Sequence, residues 1–501
     1  MNALPWWQTG VVYQIYPRSF LDTDGDGIGD LEGIRRNLDH LKWLGVDAVW
    51  LSPIYPSPMA DFGYDVADYR DVAEVFGGMA AFDRLLDDAH ERGLRIVLDW
   101  VANHTSDQHP WFQESRSSRD SAKRDWYVWR DRPNNWTAAF SEDPAWTYDQ
   151  ATGQHYLHHF LPQQPDLNWE NPQVEAAMHD CLRFWLDRGV DGFRADVVHL
   201  IGKDPSLPDD PPHLVGTSRV GRHHDVRTHD LLRRVRGLLD SYDGDRMMVG
   251  EINLTEHDRI VRYYGAADQL HLAFNFVPLY AEWDADVWRA TIVDIERVYG
   301  PAGAWPTWVL SNHDQRRHRT RYGSESRARA AAVLLLTLRG TPFLYAGEEL
   351  GLEDAVVPPD RVVDPGGRDG CRAPIPWTPA PDHGWASPRP WLPWPPDSSL
   401  RCVQRQRAEP TSILHLYRRL LALRRSTPEL QAGDMELLEA PDGVLSFRRL
   451  GERALTVHVN FTAEAVPVPA ATGTVALASD GYGEGETFGG LLGAEQAVVL
   501  S

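Results

Sequence analysis

The sequence of 501 residues predicts a (β/α)8 TIM barrel with a domain inserted after strand 3 and an all-β sandwich domain at the C-terminal end. Three observations indicate this α/β fold class. Short apolar segments alternate with segments of helical periodicity, a pattern typical of parallel sheets. Eight such apolar segments follow one another along the chain. From about residue 430 onward, short alternating strands replace the helical pattern.

The predicted barrel strands are short and apolar, and several end in charged side chains. They are expected at residues 11–16, 48–51, 94–98, 190–195, 247–250, 270–276, 307–310 and 342–345. The segments between them carry apolar residues at helical spacing. Helices are expected at residues 31–44, 80–92, 172–188, 226–240, 284–298, 327–338 and 411–425. Gly45 and Gly93 follow the first two helices, where glycine is a favourable C-terminal cap.

Two stretches interrupt the alternation of strands and helices. Residues 105–171 are rich in Trp, Asp, Pro and Asn and have no long helical period, which indicates an inserted subdomain. A polar, proline-rich insert covers residues 202–225. The predicted domains are therefore the barrel at 1–104 and 172–428, the inserted domain at 105–171 and the C-terminal domain at 429–501.

The composition excludes several classes of protein. Its hydrophobic fraction of 42% and charged fraction of 24% are typical of a soluble globular protein. A formal net charge of −22 argues against nucleic acid or an anionic membrane surface as a partner. The sequence has no basic and apolar leader pattern and no apolar run near the roughly 20 residues of a membrane span. Its three cysteines are too few and too scattered for a disulfide framework or a zinc site, so we expect a cytoplasmic protein.

An acidic loop, DTDGDGIGD at residues 22–30, follows the first predicted strand. Alternating aspartates can surround a hard cation with oxygen ligands. The loop is not an EF-hand, because its twelfth position would be Gly33 and a strand precedes it in place of a helix. A solvated acidic turn is the alternative to a structural Ca²⁺ or Mg²⁺ site.

The strand at 190–195 leads into the pair Arg194 and Asp196. Residues i and i+2 of a strand point to the same side, so the guanidinium faces the carboxylate and favours its ionised form. A structural salt bridge would have the same sequence pattern. The active sites of such barrels lie at the carboxyl ends of the strands, however, and charged groups also follow strands three, five and seven. These additional groups are Asp99, Asn103 and His104, then Glu251, and then His313 and Asp314.

Asp196 and Glu251 follow neighbouring strands, so their carboxyl groups can lie on two sides of one substrate bond. Two carboxyl groups about 5–5.5 Å apart are typical of a retaining glycosidase, with one as nucleophile and the other as acid/base. Arg194 is expected to keep Asp196 ionised, whereas like charges and a partly apolar site would raise the pKa of Glu251. Asp314 could bind two sugar hydroxyl groups. Twenty Trp residues offer apolar faces that suit sugars, although Trp also fills cores.

Several segments resemble a known family. DWVANH, GFRADVVHL, VGEIN and SNHD, in this order, resemble the conserved regions of glycoside hydrolase family 13, the α-amylase family. The segments QPDLN (164–168), DFGYDVADY (61–69) and RDGCRAPIPW (368–377) resemble its oligo-1,6-glucosidase and α-glucosidase branch. The similarity covers nearly the whole chain, including the inserted domain, which corresponds to domain B of the family.

The resemblance implies a role for each matching residue. Asp196 corresponds to the nucleophile, Glu251 to the acid/base and Asp314 to the transition-state stabiliser. The implied pocket for the non-reducing glucose consists of Asp61, Tyr64, His104, Arg194, His313 and Arg372. Tyr64 would be the stacking platform, and Asp61 and Arg372 would close the far end of the pocket. Asp22, Asp24, Asp26, Ile28 through its carbonyl group, and Asp30 match the metal loop of the branch and imply structural Ca²⁺ or Mg²⁺. No organic cofactor is implied.

The sequence departs from the family pattern near the leaving-group side. Ile-Asn follows Glu251 where many relatives have an aromatic or a small residue, and His199 stands where α-amylases have Lys before a His. Val197 follows the nucleophile, and in oligo-1,6-glucosidases a Val at this position accompanies α-1,6 bonds. These differences leave the preferred linkage open.

The expected function is an exo-acting, retaining α-glucosidase that acts on short α-glucosides, with α-1,4 favoured over α-1,6 bonds. Transfer of glucose to sugar or alcohol acceptors is an expected side reaction. An oligo-1,6-glucosidase, a trehalose synthase and a sucrose isomerase or hydrolase share the same catalytic set. A binding protein similar to transporter heavy chains is a non-enzymatic alternative, but such chains need an N-terminal membrane span and generally lack the full catalytic set.

Overall fold

The computed structural model describes residues 4–214 and 226–501. Its strands are β1 Val12–Ile15, β2 Ala48–Leu51, β3 Arg95–Val101, β4 Trp129–Arg130, β5 Trp146–Asp149, β6 Gln154–Leu157, β7 Gly192–Asp196, β8 Met247–Gly250, β9 Leu272–Ala273, β10 Thr307–Val309, β11 Thr341–Tyr345, β12 Asp434–Leu438, β13 Val444–Leu450, β14 Leu455–Asn460, β15 Val466–Pro467, β16 Val475–Ala478, β17 Leu491–Leu492 and β18 Ala497–Leu500. Its helices are α1 Trp6–Thr9, α2 Leu31–Arg36, α3 Leu38–Leu44, α4 Gly78–Glu91, α5 Pro110–Ser115, α6 Pro172–Asp187, α7 Arg227–Asp240, α8 His257–Ile260, α9 Val277–Tyr280, α10 Ala285–Tyr299, α11 His318–Tyr322, α12 Glu325–Thr337, α13 Val403–Ala408, α14 Ile413–Ser426 and α15 Pro428–Ala432.

Eight parallel strands form the central sheet, in the order β10-β11-β1-β2-β3-β7-β8-β9. The two end strands of this order, β9 and β10, are joined by a side chain. Thr307 Oγ1 donates to the carbonyl group of Ala273 at 2.9 Å and accepts from the backbone N–H of Asn275 at 3.1 Å. This closure completes the predicted barrel.

The strands bury both of their faces, as expected of a parallel sheet covered by helices. Inward side chains such as Val12, Val97 and Val249 fill the interior of the barrel. Outward side chains, including Tyr13, Val49 and Ile96, pack against the surrounding helices in a separate and larger core. The carboxyl ends of all eight strands therefore meet on one rim, where the side chains that follow them converge.

Residues 105–171 contain α5 and a three-stranded antiparallel sheet in the order β4-β6-β5. The described part of the insert after β7 packs on this sheet region. Trp136 Nε1 donates to the carbonyl group of Pro208 at 2.9 Å, and Arg130 donates to that of Leu207 at 3.0 Å. Residues 215–225 of the predicted 202–225 insert lie outside the described residues.

The C-terminal end of the chain forms a five-stranded antiparallel sheet in the order β12-β13-β14-β18-β16. The β15–β17 ribbon packs against it through an apolar cluster that includes Val468, Leu492 and Val498. The predicted fold class of a barrel with an insert and a C-terminal β domain is confirmed. Among the helices of residues 4–214 and 226–501, none is long and apolar enough to cross a membrane.

Two elements differ from the sequence prediction. The helix expected at 31–44 is divided at Asn37, whose side-chain amide donates to the Gly33 carbonyl group at 2.8 Å. Asn side chains compete with helical hydrogen bonds in this way. The strand expected at 270–276 has regular strand structure only at Leu272–Ala273. On the side that faces β10, the side chain of Thr307 makes the hydrogen bonds that backbone pairing would otherwise make.

Candidate active site

The charged groups singled out in the sequence converge at the carboxyl ends of the strands. Arg194 and Asp196 lie on β7, and Glu251 follows β8 directly. Asp99 lies on β3, which is paired with β7 so that Asp99 stands opposite Arg194. Period-two alternation therefore directs three side chains of two neighbouring strands into one space.

The Arg194 guanidinium is the centre of this group. Its Nη1 donates to Asp99 Oδ1 and to Asp196 Oδ1, both at 2.6 Å, and its Nη2 donates to Glu251 Oε2. The Arg194 side chain is 3% exposed. Trp50 Nε1 also donates to Asp99 Oδ2 at 2.9 Å. One cation thus contacts three carboxyl groups, whereas the sequence indicated a partnership with Asp196 alone.

Sharing one guanidinium changes the expected electrostatics. Burial raises the pKa of Asp196 well above its usual range, although Arg194 opposes the shift. Burial likewise raises the pKa of Glu251, and it raises the pKa of Asp99 to about 6. Groups this close titrate as a unit. At Asp196 burial therefore outweighs the effect of Arg194, contrary to the expectation from the sequence that this arginine keeps the carboxyl group ionised.

Val197, directly after Asp196, has a left-handed backbone with φ of 34°. This conformation is a genuine outlier for a β-branched residue. It turns the chain so that the Val197 N–H points at Glu251 Oε2, 3.4 Å away. The same residue packs with Leu200, Ala139 and Phe160 in an apolar wall beside the carboxyl groups.

A second arginine, Arg368, organises the opposite side of the pocket. Its Nη2 donates to Asp61 Oδ1 at 2.5 Å, and its Nη1 donates to Asp314 Oδ1 at 2.9 Å. Nη2 also donates to Asp364 Oδ1 at 2.7 Å. The sequence reasoning missed Arg368 as a site residue, although it is the first residue of the RDGCRAPIPW segment.

Arg372 lies behind Asp314 at the same end of the site as Arg368, and among the described residues it makes no ion pair with Asp61. It is fully buried, and its Nε donates to the carbonyl group of His313 at 2.8 Å. Its two terminal nitrogens reach Asp314 and Asp364, both at 3.1 Å. The partner of Asp61 is thus Arg368, four residues earlier, while Arg372 supports Asp314 from behind. Burial would raise the pKa of Asp314, but His313 and these two arginines hold it well below its usual range.

Tyr64 and His313 lie stacked, with ring centroids 5.4 Å apart and an interplanar angle of 8°. Burial lowers the pKa of His313 to about 3, so its ring is neutral at neutral pH. Gln14 Nε2 contacts His313 Nδ1 at 2.7 Å as a donor, which places the ring proton on Nε2. That nitrogen lies 2.6 Å from the Tyr64 hydroxyl group and 3.1 Å from Asp314 Oδ2.

The QPDLN segment contributes a further pocket contact. Gln164 Nε2 lies 3.0 Å from Asp61 Oδ2 and 3.1 Å from His104 Nε2. Burial lowers the pKa of His104 to about 4, so this ring is also neutral. Gln164 is fully buried and was not singled out as a site residue, although its segment was quoted as a motif.

Asp166 of the same segment joins the insert to the barrel. It is fully buried and lies 2.5 Å from His159 and 3.1 Å from Lys203 Nζ. Lys203 also donates to Asn103 Oδ1 at 2.9 Å. Burial would raise the pKa of Asp166, but Lys203 and His159 hold it well below its usual range. The Asp166–Lys203 ion pair joins the inserted domain at 105–171 to the insert that follows β7. The hydrogen bond from Lys203 to Asn103 joins both to the residues that follow β3, next to His104.

The acidic loop brings together three of the five expected metal ligands. Carboxylate oxygens of Asp22, Asp24 and Asp30 all lie within 4.8 Å of one another. Asp26 lies outside this cluster, and its Oδ1 accepts from the Ile28 N–H at 2.7 Å. Within the part of the chain that the structure describes, the three clustered carboxylates make no ion pair with Lys or Arg. Oxygen donors without a cationic partner fit a hard divalent cation.

The chain was compared with known proteins. A model of the α-amylase catalytic domain matches residues 14–433. A probable α-glucosidase of Rhizobium meliloti (strain 1021) is 42% identical over 486 residues, which cover 89% of this chain and 87% of the relative. An oligo-1,6-glucosidase of Parageobacillus thermoglucosidasius is 38% identical over 518 residues, covering 92% and 91%.

Solved structures are similar over the full length. The α-glucosyl transfer enzyme XgtA has a TM-score of 0.91 at 39% identity, with 100% of both chains covered. The trehalulose synthase MutB from Pseudomonas mesoacidophila MX-45 has a TM-score of 0.92 at 32% identity, also with 100% of both chains covered.

Proposed function

The chain belongs to glycoside hydrolase family 13, the α-amylase family, and from this premise we propose an exo-acting, retaining α-glucosidase. It releases glucose from the non-reducing end of short α-glucosides and favours α-1,4 over α-1,6 bonds. Relatives named as α-glucosidases and oligo-1,6-glucosidases support glucosidase activity in general. The choice of bond and the exo mode are inferences that go beyond the names of these relatives.

The observation that carries the exo mode is the ion pair between Asp61 and Arg368, 2.5 Å apart and buried. Arg368 also contacts Asp314, so the pair closes the space on the side opposite the Arg194 cluster. Gln164 adds a hydrogen bond to the other oxygen of Asp61. A sugar chain cannot pass through a wall of paired side chains, so only a terminal glucose unit fits.

In the proposed mechanism Asp196 is the nucleophile, Glu251 is the acid/base and Asp314 stabilises the transition state. The Asp196 carboxylate attacks the anomeric carbon while protonated Glu251 gives its proton to the departing oxygen. A covalent glucosyl–Asp196 ester forms, and the bond to the leaving group breaks. Glu251, now ionised, takes a proton from water as the water cleaves the ester, which returns the original anomer. Asp314, held ionised, interacts with the positive charge that develops on the sugar ring.

The glucose pocket in this proposal consists of the residues expected from the sequence together with two additions. Asp61, Tyr64, His104, Arg194 and His313 remain as proposed contacts. Arg368 and Gln164 join them, because both bind Asp61 directly. Arg372 acts by supporting Asp314 and the His313 carbonyl group.

Transfer to sugar or alcohol acceptors is proposed as a side reaction. Val197, Leu200, Ala139 and Phe160 form an apolar wall next to Asp196, and in this proposal the wall borders the leaving-group side of the site. A wall of this kind accommodates the carbon skeleton of an alcohol and offers few hydrogen bonds to a water molecule. The similarity to an α-glucosyl transfer enzyme favours this second activity. An oligo-1,6-glucosidase or a sucrose isomerase is the alternative, since such proteins are also among the relatives.

We also propose that the acidic loop binds a structural Ca²⁺ or Mg²⁺ through Asp22, Asp24 and Asp30. Chelation with EDTA should lower the melting temperature, and added Ca²⁺ should restore it. An Asp24→Asn variant should melt lower and lose its response to both reagents. An identical melting temperature with and without EDTA in the unsubstituted protein would contradict the site.

We propose a cytoplasmic location because the cysteines are free thiols. Cys181, Cys371 and Cys402 are all buried free thiols. Reduced cysteines are typical of cytosolic proteins. The acidic net charge of −22 gives no reason to expect nucleic acid as a partner.

The test of the function is a product analysis with maltose, isomaltose, trehalose, sucrose and an aryl α-glucoside. Proton NMR of early time points identifies the linkage cleaved, the anomer released and any transfer product. Release of α-glucose, fastest from maltose, is the expected outcome. Initial release of β-glucose would refute retention, and conversion of sucrose to an isomer without free glucose would favour the alternative. A maltooligosaccharide blocked at its non-reducing end should resist cleavage; if it is cut internally, the exo mode is wrong.

A further inference from the structure

The loop that carries Asp61 and Tyr64 has an unusual backbone. Met59 has φ of 67° and Phe62 has φ of 46°. Residues other than glycine rarely adopt this left-handed backbone conformation, and it persists only where the surrounding structure holds it in place. Asp61 lies between these two residues, so whatever holds them also sets the direction of the Asp61 carboxylate.

One side of the loop is held by Asp65. Its carboxylate accepts from the N–H groups of Ala60 at 2.9 Å and Asp61 at 3.0 Å, and from the Ser57 hydroxyl group at 2.8 Å. These bonds fix the backbone within the loop. They do not contact the side chains of Met59 and Phe62.

The other side of the loop is held by Arg18. Arg18 Nη1 lies 3.7 Å from the Met59 sulfur, and the guanidinium carbon lies 5.5 Å from the centre of the Phe62 ring. The guanidinium carbon also lies 4.7 Å from the centre of the Trp391 ring, and the Phe62 and Trp391 rings are themselves 5.4 Å apart. The two residues of the loop other than glycine that have a left-handed backbone are therefore the two whose side chains contact this one guanidinium.

Arg18 is a buried cation with uncommon surroundings. It is 8% exposed, and among the described residues its side chain makes no ion pair and no hydrogen bond to an oxygen atom. A buried charge without a partner is costly, so the two aromatic faces must compensate for part of the lost hydration. The glucosidase mechanism proposed above makes no use of Arg18.

The acidic loop makes backbone hydrogen bonds with both Arg18 and Trp391. The Gly29 N–H donates to the Arg18 carbonyl group at 2.8 Å, and the Trp391 N–H donates to that of Gly27 at 2.9 Å. A Cβ atom at Gly29 would lie 2.2 Å from the Pro17 carbonyl oxygen, so the two segments are in tight contact. Burial lowers the pKa of Arg18, and the nearby Tyr16 and Asp26 offset only part of this shift. The acidic loop is thus connected through Arg18 to Phe62 and Asp61.

We propose that Arg18 is a positioning residue for Asp61, which acts by holding Phe62 and Met59 in their left-handed conformations through its contacts with Phe62, Met59 and Trp391. The inference rests on the proposed role of Asp61 at the closed end of the glucose pocket. It extends that role to a residue that does not touch the sugar. Loss of the Arg18 contacts lets the loop relax, and Asp61 then loses its alignment with Arg368 and Gln164.

The test combines two substitutions at Arg18 with one at Asp61. Arg18→Met keeps the stem of the side chain and removes the cation, and Arg18→Lys keeps the charge without the flat guanidinium. Both should raise the KM for an aryl α-glucoside and the inhibition constant of glucose by about tenfold, which corresponds to the loss of one charged hydrogen bond. The kcat value should change less than KM, because Asp61 lies remote from the bond that is cleaved. Arg36→Met on α2, at an exposed side chain, is the matched control and should change neither constant.

A double-substitution cycle separates positioning from general destabilisation. In an Asp61→Asn background, Arg18→Met should add no further weakening of glucose binding, since the group that it positions is already lost. Additive effects, or an unchanged glucose constant in Arg18→Met alone, would overturn the inference. If Asp61→Asn itself leaves glucose binding unchanged, the proposed pocket is wrong, which is a different failure. Should Arg18→Met not fold, Phe62→Leu tests the same contact with the same expected outcomes.

Discussion

Glu251→Gln is the substitution that most directly tests the proposed chemistry. Gln keeps the size of the side chain and can still accept from Arg194, but it has no proton to give to a leaving group. General acid catalysis contributes about 10² to 10⁴ in rate, or about 3 to 5 kcal/mol of the barrier. We expect kcat/KM for maltose to fall by about 10³ and that for a dinitrophenyl α-glucoside by less than about tenfold, because the phenolate departs without a proton.

The structure also fixes how the pH dependence should change. Asp196 and Glu251 are buried around one guanidinium, and burial raises the pKa of both. In the unsubstituted enzyme, activity should rise with pH as the pair loses its first proton and fall as it loses the second. Because both shifts are upward, this active window lies above the usual carboxyl range. Gln at position 251 removes the second ionisation and also removes a charge that raises the pKa of Asp196, so the acidic limb moves to lower pH and the alkaline limb disappears.

The assay is kcat/KM from pH 4 to 9 on both substrates, together with the melting temperature of each variant. Glu256→Gln is the matched control: Glu256 lies five residues further along the same segment, is exposed and pairs only with Arg259 among the ion pairs of the described residues. It should leave both profiles unchanged. Equal losses on maltose and the aryl glucoside, or an alkaline limb that survives in Glu251→Gln, would refute Glu251 as the acid.

Three further substitutions test separate parts of the molecule. Asp196→Asn should lower turnover by at least about 10⁴ without loss of fold, because the nucleophile is removed while the contact with Arg194 remains; residual activity above a few per cent would contradict the assignment. Arg368→Lys should reduce kcat/KM by at least about tenfold, because a single ammonium group cannot make the hydrogen bonds of a planar guanidinium that contacts three carboxylates. An unchanged kcat/KM would argue against the closed pocket. Burial raises the pKa of Glu348 in the folded chain to about 8. Between the usual pKa of a glutamate and pH 8, the folded chain therefore binds a proton that the unfolded chain has released, and the free energy of unfolding falls as the pH rises through this range. Glu348→Gln should therefore raise the melting temperature more at pH 8.5 than at pH 5, and an equal change at both would show that the carboxyl group is not the cause.

Much of the fold could be predicted from the sequence because barrel strands and helices carry strong periodic signals. The differences arise where a side chain replaces backbone pairing. Asn37 divides a continuous apolar pattern through a bond to the Gly33 carbonyl group, and Thr307 closes the barrel where a regular strand was expected. Neither interaction leaves a trace in hydrophobic periodicity, which reports the buried face of an element and not its hydrogen bonds.

The site was predicted best where strand geometry alone decides the direction of a side chain. Arg194 and Asp196 are two residues apart on one strand, so their common direction follows from the sequence. Arg368 and Arg372 are the first flanking residue and the last residue of a single 3₁₀ turn, Asp369–Arg372, and nothing in their spacing in the sequence tells which one contacts Asp61. Family resemblance pointed to Arg372, but the ion pair involves Arg368.

The carboxyl groups at the two ends of the pocket differ in their charged surroundings, and the pKa of Asp314 is shifted in the opposite direction to those of Asp196 and Glu251. At the Arg194 end, one guanidinium serves three carboxyl groups, burial prevails, and the pKa of Asp196 and of Glu251 rises. At the opposite end, His313, Arg368 and Arg372 together hold the pKa of Asp314 below its usual range despite burial, whereas burial raises the pKa of Asp61. A glucosidase needs a proton at the first end and a lasting negative charge at the second. The fully buried Arg372 contacts Asp314 at 3.1 Å and is, after His313 and Arg368, one of the groups that lower its pKa, a contact that its position four residues after Arg368 could not indicate.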